Sequence, residues 1–237
     1  ENLNFKLTSD QEKTLNEINN DLQSDQKMFR LLQGDVGSGK TIVALCAAAN
    51  TVKSGFQVAV MAPTEILARQ HYNLAKEIFD KNLNLEILSS KSEYKEKKII
   101  REKLENNQID VIFGTHAIFQ KKIIFKKLGL IIIDEQHKFG VNQRKKLSDK
   151  GGDNCDVLLM SATPIPRTLT MTIYGDMDLS IIKEKPKSRK EVKTYSKLES
   201  KIDEILKFIE KEINNNNQIF WVCPLIEESK KLDHTSA

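Results

Sequence analysis

Residues 34 to 41 read Gly-Asp-Val-Gly-Ser-Gly-Lys-Thr, a complete G-x-x-x-x-G-K-T phosphate loop. Glycines at 34, 37 and 39 let the backbone fold back so that its amide N–H groups converge on phosphate oxygens. Asp35, Val36 and Ser38 complete the nucleotide-facing run. Lys40 is placed to reach the β and γ phosphates of a nucleoside triphosphate as a point charge, and the Thr41 hydroxyl to ligate Mg²⁺. A magnesium nucleotide also needs a carboxylate, and Asp134-Glu135 supplies one directly after the apolar run Leu130-Ile131-Ile132-Ile133. Asp134 is expected to face the metal held by Thr41, and Glu135 to orient and deprotonate an attacking water. Asp-Glu after an apolar run is also how an ordinary strand turns to solvent; the phosphate loop is what gives the pair a role.

These groups need elements to hold them. Met28 to Leu32 suits a buried strand before the loop, and Ile42 to Ala49 continues as an Ala-rich helix closing near Gly55. Strand, loop and helix thus stand in the order that phosphate binding at a helix N-terminus requires. Thr8 with Gln11 forms a capping box opening a helix with Leu15, Ile18 and Leu22 inward. Further strands are expected at 57–62, 85–88, 110–113, 130–133 and 157–160, the last of the lobe. Pro63-Thr64 should start a helix with Leu67, Leu74, Ile78 and Phe79 inward, and a charged helix should run from Ser92 to Asn106. Strands alternating with helices imply a doubly wound, mostly parallel α/β sheet with helices on both faces.

Between 184 and 191 the composition becomes charged and Pro186 interrupts it, as in a linker. A strand at 192–195, an amphipathic helix with Ile202, Ile205, Leu206, Ile209 and Ile213, and a strand at 219–223 should follow. The boundaries expected are therefore 1–183 for a first lobe, 184–191 for the linker and 192–237 for the incomplete start of a second. Roughly 45 residues are too few for a whole α/β lobe, so the chain reads as cut from something larger.

Composition excludes several classes. Of 237 residues 39% are hydrophobic, enough for a core, yet no stretch approaches the ~20 apolar residues of a bilayer span and no signal peptide opens the chain. A cytoplasmic location with no membrane partner is expected. Cys46, Cys155 and Cys223 lack the number and spacing of a disulfide framework or zinc site. The net charge of +4 does not establish a nucleic-acid partner. Clusters at Lys121-Lys122, Lys126-Lys127, Arg144-Lys145-Lys146 and Lys183 to Lys190 either meet phosphates or form a solvated lysine-rich surface.

Gly34 to Thr41, Ala62-Pro63-Thr64-Glu65-Ile66-Leu67-Ala68, Gly114-Thr115-His116, Asp134-Glu135-Gln136-His137 and Ser161-Ala162-Thr163 resemble, in order, the motor motifs of superfamily 2 helicases. Glu135 to Val141 with Gln143-Arg144, and Met160 to Leu169, resemble the branch shared by the RecG family and the transcription-repair coupling translocases; Tyr174 to Asp178 and Val222 to Ser229 resemble RecG proteins. The resemblance implies a RecA-like P-loop NTPase lobe, use of ATP and Mg²⁺, and translocation on forked or branched duplex DNA, with fork reversal and Holliday-junction migration in recombination and repair. It also implies contact with a single-strand-binding protein; the segment itself is expected to be monomeric.

By the same resemblance, Phe5, Leu7, Thr8 and Gln11 form the element that reads adenine, alongside the helix-cap role read from spacing. His137 couples nucleotide and DNA sides, where a lone histidine would otherwise be a structural hydrogen-bonder. Ser161 and Thr163 link γ-phosphate state to lobe closure. Pro63, Thr64, Arg69, Gly114, Thr115 and His116 match positions that contact the DNA backbone; Thr64 is equally well suited to cap a helix. RecG-like enzymes also carry a wedge domain and a complete second lobe with an arginine finger, which in comparable NTPases is worth roughly 10³ to 10⁵ in rate. The segment alone is therefore expected to bind Mg-ATP, hydrolyse it slowly and unwind nothing. Other readings are the coupling translocase, a P-loop kinase or synthetase, and an ATP-binding switch without catalysis.

Overall fold

The computed structural model describes residues 5–79, 83–89, 94–120, 122–135, 155–163, 177–184 and 192–222. The chain separates into two compact units, Glu1–Arg189 and Lys190–Ala237. In the first, seven parallel strands form one sheet: β1 Phe29–Gly34, β2 Gln57–Met61, β3 Leu85–Leu88, β4 Val111–Gly114, β5 Leu128–Ile133, β6 Asp156–Ser161 and β7 Asp178–Ile182. Their spatial order is β3-β4-β2-β5-β6-β1-β7. Helix α1 Ser9–Leu22 precedes β1, and α2 Lys40–Lys53, α3 Glu65–Phe79 and α4 Tyr94–Glu105 connect β1 to β4 in turn, with a 3₁₀ turn at His116–Phe119 before β5.

The strands read as near-continuous apolar runs because the sheet is covered on both faces. Leu32, Val58, Val60, Phe113, Leu130, Ile132, Leu158 and Met160 pack with Ile18 of α1, Val43 and Ala47 of α2 and Ala75 of α3. Their neighbours along the strands point the other way, Ala59 and Ile112 meeting Ile100 and Leu104 of α4, and Leu31, Met61, Ile131 and Leu159 forming a further cluster. The period of two is the pleat itself. Each fully buried Ile or Leu contributes about 1.5–3 kcal/mol. A α/β sheet with helices on both faces is thus the observed architecture.

β7 was not anticipated, since the sequence placed the last strand at 157–160. Asp178-Leu-Ser-Ile-Ile lies at the sheet edge with only Ser180 and Ile182 buried, so its apolar signal is thin. It is held instead by a polar knot: Arg30 of β1, 9% exposed, pairs with Asp21 of α1 at 2.6 Å, donates to the Ser180 hydroxyl at 2.9 Å and approaches Glu17 and Asp178 at 3.7 and 3.9 Å.

In the second unit α5 spans Ile202–Asn214 after a single 3₁₀ turn at Glu199–Lys201. The strand expected at 192–195 is absent, and so is the described part of that expected at 219–223: residues 192–198 and 219–222 carry no regular structure. A strand needs a neighbour to take its ladder hydrogen bonds, and the described residues of this unit contain none. No helix among the described residues is long and apolar enough to cross a membrane.

Candidate active site

All seven strands run the same way, so β1, β2, β4, β5 and β6 deliver the candidate residues to one sheet edge, their carboxyl ends. β1 ends at Gly34 and α2 begins at Lys40, with the loop between them turning through Gly37 at φ 75° and Gly39 at φ 90°. That left-handed region favours glycine, and a Cβ at Gly39 would in addition collide with the Gln11 side-chain amide. No side chain caps α2, which leaves its first N–H groups directed at the loop's concavity. The Ser38 hydroxyl, on a residue 1% exposed, finds no partner among the described residues.

Lys40 is 9% exposed, and its Nζ donates to the carbonyl oxygens of Gly34 at 2.6 Å and Asp35 at 3.1 Å. Burial pushes its pKa below the ordinary 10.5, opposed by the negative charges of Asp134, Glu135 and Asp35. The lysine and the two carboxylates are therefore electrostatic neighbours although they lie almost a hundred residues apart. Gln11, 5% exposed, serves two elements: its Oε1 accepts the Thr8 N–H at 2.9 Å, completing the capping box, and its Nε2 donates to the Ser38 carbonyl at 2.7 Å. Phe5 stands 47% exposed.

Asp134 follows β5 and its N–H donates to the Met61 carbonyl of β2 at 2.8 Å. The residue is 8% exposed, and its carboxylate receives the Glu135 N–H on Oδ1 at 3.0 Å and the Nε2 of His71 on Oδ2 at 2.7 Å. Glu135 takes φ 51°, a conformation costing a non-glycine residue of order 1–3 kcal/mol and found where a site over-determines the backbone. Beside it, β6 ends in Ser161, fully buried, whose hydroxyl lies 2.9 Å from that of Thr163. Gln33, the residue before the phosphate loop, donates to the Thr163 carbonyl at 3.2 Å. The Ser-Ala-Thr turn is thus tied to the strand that carries the loop.

Pro63, Thr64, Thr115 and His116 meet at a cleft of about 420 Å³ along the same edge, lined also by Glu65, Ser89, Lys97, Arg101 and Gln120. Thr64 caps α3, its hydroxyl accepting the Leu67 N–H at 3.3 Å. Gly114 has a packing reason, since a Cβ there would sit 2.7 Å from the Leu88 carbonyl oxygen. Arg69 is exposed on α3 and is not among the residues lining the cleft. A cavity of about 580 Å³ lies at the opposite, amino-terminal edge among residues such as Lys27, Asn50 and Asp156, and contains none of the predicted groups. His137 falls outside the described residues, as do the motif stretches 164–169 and 174–176, most of the linker and Cys223.

A model of the DEAD/DEAH box helicase family matches residues 8–172. The chain belongs to the DEAD/DEAH box helicase family. Among curated helicase relatives, the ATP-dependent DNA helicase RecG of Bacillus subtilis is 50% identical over 99% of this chain and 34% of its own length. That of Aquifex aeolicus is 52% identical over the whole chain and 30% of its own length. The chain thus spans about a third of these relatives. A solved structure of RecG bound to a three-way DNA junction superposes with a TM-score of 0.79 at 45% identity, over 90% of this chain and 28% of that one. The DEAD-box helicase Mss116, bound to single-stranded RNA and UDP-BeF, shares the fold at a TM-score of 0.60 and 20% identity, over 89% of this chain and 48% of that one.

For this helicase domain, sequence reasoning missed His71 and Arg101. His71 occupies the buried stripe of α3 with Ala68 and Ala75, where the spacing alone reads as core packing. A titratable residue at an inward position was the available signal. Arg101 sits on a helix read only as charged, and only the tertiary structure brings it to the cleft, where its Nε is buried without a partner among the described residues.

Proposed function

We propose that the chain is the ATP-binding motor segment of a RecG-type helicase, hydrolysing ATP to move along forked or branched duplex DNA. In this reading residues 1–183 are the first RecA-like lobe and 192–237 begin the second. The observation that carries it is the shared sheet edge. A buried Lys40, electrostatically coupled to Asp134 and Glu135, lies on the same edge as a cleft built from Pro63, Thr64, Thr115 and His116.

Mg-ATP fits the residues present. An uncapped helix N-terminus, left-handed glycines and a buried Ser38 hydroxyl with no partner among the described residues all ask for an anion. Among the described residues no group of three or more His, Cys, Asp or Glu forms a metal cage. Mg²⁺ held by one carboxylate, one hydroxyl and substrate phosphates needs none. Asp134 and Thr41 would hold it. Bound there, Mg-ATP would supply the phosphoanhydride and a divalent charge that offsets the negative charge developing during its hydrolysis.

The chain's own groups do the rest. Lys40 exchanges its two carbonyl acceptors for phosphate oxygens, which satisfy its charge better in a buried site. Glu135 accepts the proton of the attacking water. Ser161 and Thr163, tied through Gln33 to the phosphate-loop strand, report the state of that loop to their own turn. Thr64, Thr115 and His116 contact the DNA backbone, which carries little sequence information and so suits movement over any sequence. The test is ATP turnover by the full-length protein with and without forked DNA. Stimulation by the fork, lost on Lys40→Ala, is expected; turnover indifferent both to DNA and to Lys40 would overturn the reading.

A further inference from the structure

α3 joins the two halves of this edge. Its first turn, capped by Thr64, lies at the cleft, and Glu65 in that turn accepts a hydrogen bond from the Ser89 hydroxyl across it. Seven residues after Thr64, about 10 Å along the axis at 1.5 Å per residue, His71 turns inward on the same helix. It is 7% exposed and lies between two alanines on the buried stripe. Its Nε2 lies 2.7 Å from Oδ2 of Asp134, 63 residues away in sequence. A carboxylate only accepts, so the Nε2 carries the hydrogen and donates it.

An imidazole buried merely for packing would be an unfavourable choice, because a buried polar group must be matched to hold its place. Here the match is to Asp134, a buried carboxylate on the same sheet edge as the phosphate loop. With the Glu135 N–H on Oδ1, both oxygens of Asp134 are oriented, and each keeps a lone pair for a cation or its water. Residues that orient a ligating carboxylate in this way commonly change metal affinity or activity by 10–100-fold when removed. The helix that bears the imidazole is the same rigid body that begins at the cleft.

From this geometry we infer that His71 is a positioning residue: it fixes the Asp134 carboxylate for magnesium and joins that carboxylate, through α3, to the nucleic-acid cleft. The inference rests on the motor reading above and deepens it. Loss of His71 leaves Asp134 held only at Oδ1 by the Glu135 N–H, so its carboxylate is less well oriented and the nucleotide site needs more magnesium. It also cuts the polar link by which displacement of the α3 N-terminus reaches the metal ligand.

The test uses the full-length protein and a fluorescent ATP analogue titrated with MgCl₂, a binding readout independent of turnover, together with the ratio of ATP turnover with and without forked DNA. His71→Ala should raise the magnesium concentration for half-maximal binding at least tenfold and bring the DNA stimulation ratio close to one. His71→Gln, whose amide nitrogen can donate in place of Nε2, should restore most of both. On an Asp134→Asn background, His71→Ala should add little. Unchanged magnesium dependence and stimulation in His71→Ala would overturn the inference, as would equal loss in His71→Gln when both variants keep the wild-type melting temperature. If His71→Ala does not fold, His71→Leu, which fills the buried position without a donor, takes its place in each comparison. Failure of the unsubstituted protein to bind magnesium nucleotide at all would refute the motor reading instead.

Discussion

Lys40 shows how one residue can be both strained by its surroundings and made useful by them. Its burial lowers the pKa, and Asp134, Glu135 and Asp35 pull it back only in part. The sign follows: a lysine with a lowered folded-state pKa binds fewer protons folded than unfolded at alkaline pH, so it costs stability while charged and that cost fades as pH rises towards 10.5. A bound triphosphate reverses the shift, so nucleotide binding between the lowered pKa and 10.5 should take up a proton. Calorimetry in buffers of different ionisation enthalpy reads this directly, and Lys40→Ala should abolish the uptake along with about 10- to 100-fold of affinity, the worth of a charge-assisted hydrogen bond. Glu135→Gln should separate the steps differently. Turnover should fall about 10²- to 10⁴-fold while nucleotide binding persists; equal turnover in the variant would assign the water to another base.

Between elements, the tie from α1 to the phosphate loop through Gln11 is a single amide with two duties. Gln11→Glu keeps an acceptor for the Thr8 N–H but loses the donor to Ser38. Binding of nucleotide should therefore weaken while the helix stays capped. Gln11→Ala loses both and should cost about 1–3 kcal/mol of stability as well, measured by urea denaturation. Arg30 binds α1, β1 and β7 together, and Arg30→Met would leave Asp21 and Glu17 without their cation. The expected loss is about 2–4 kcal/mol, below the figure for a fully buried partner because Asp178 and part of Glu17 remain in water. A midpoint shift much smaller than this would mean that β7 is held by Ile182 and its backbone ladder alone.

Across the whole molecule, the cleft and the phosphate loop share an edge because every strand is parallel. A phosphate contact there releases counterions, so each cationic contact removed should lower the slope of log affinity against log salt by about 0.9 for duplex DNA. Arg101, with its Nε buried at the cleft, should show this on Arg101→Ala, measured with forked DNA and the full-length protein. An unchanged slope would place the DNA elsewhere on that edge. Arg69, exposed outside the cleft lining, provides the comparison.

What could be read from residue order was whatever is settled within a turn or two of chain. The phosphate loop, the Thr8–Gln11 box, the Thr64 cap and the apolar core strands are local, decided by φ restrictions, capping hydrogen bonds and the periodicity of burial, and most boundaries lay within two residues of those expected. β7 escaped because an edge strand buries little and its anchor, Arg30, sits some 150 positions away. The strand expected at 192–195 and the described part of that expected at 219–223 failed for the converse reason: apolar β-branched residues favour extension, but a ladder needs a neighbour. Folding alone placed His71 on Asp134, Gln11 on Ser38, Gln33 on Thr163 and Arg101 at the cleft. Each of these meetings depends on the strand order β3-β4-β2-β5-β6-β1-β7, and no short stretch of chain encodes an order that arises only when distant strands compete for neighbours.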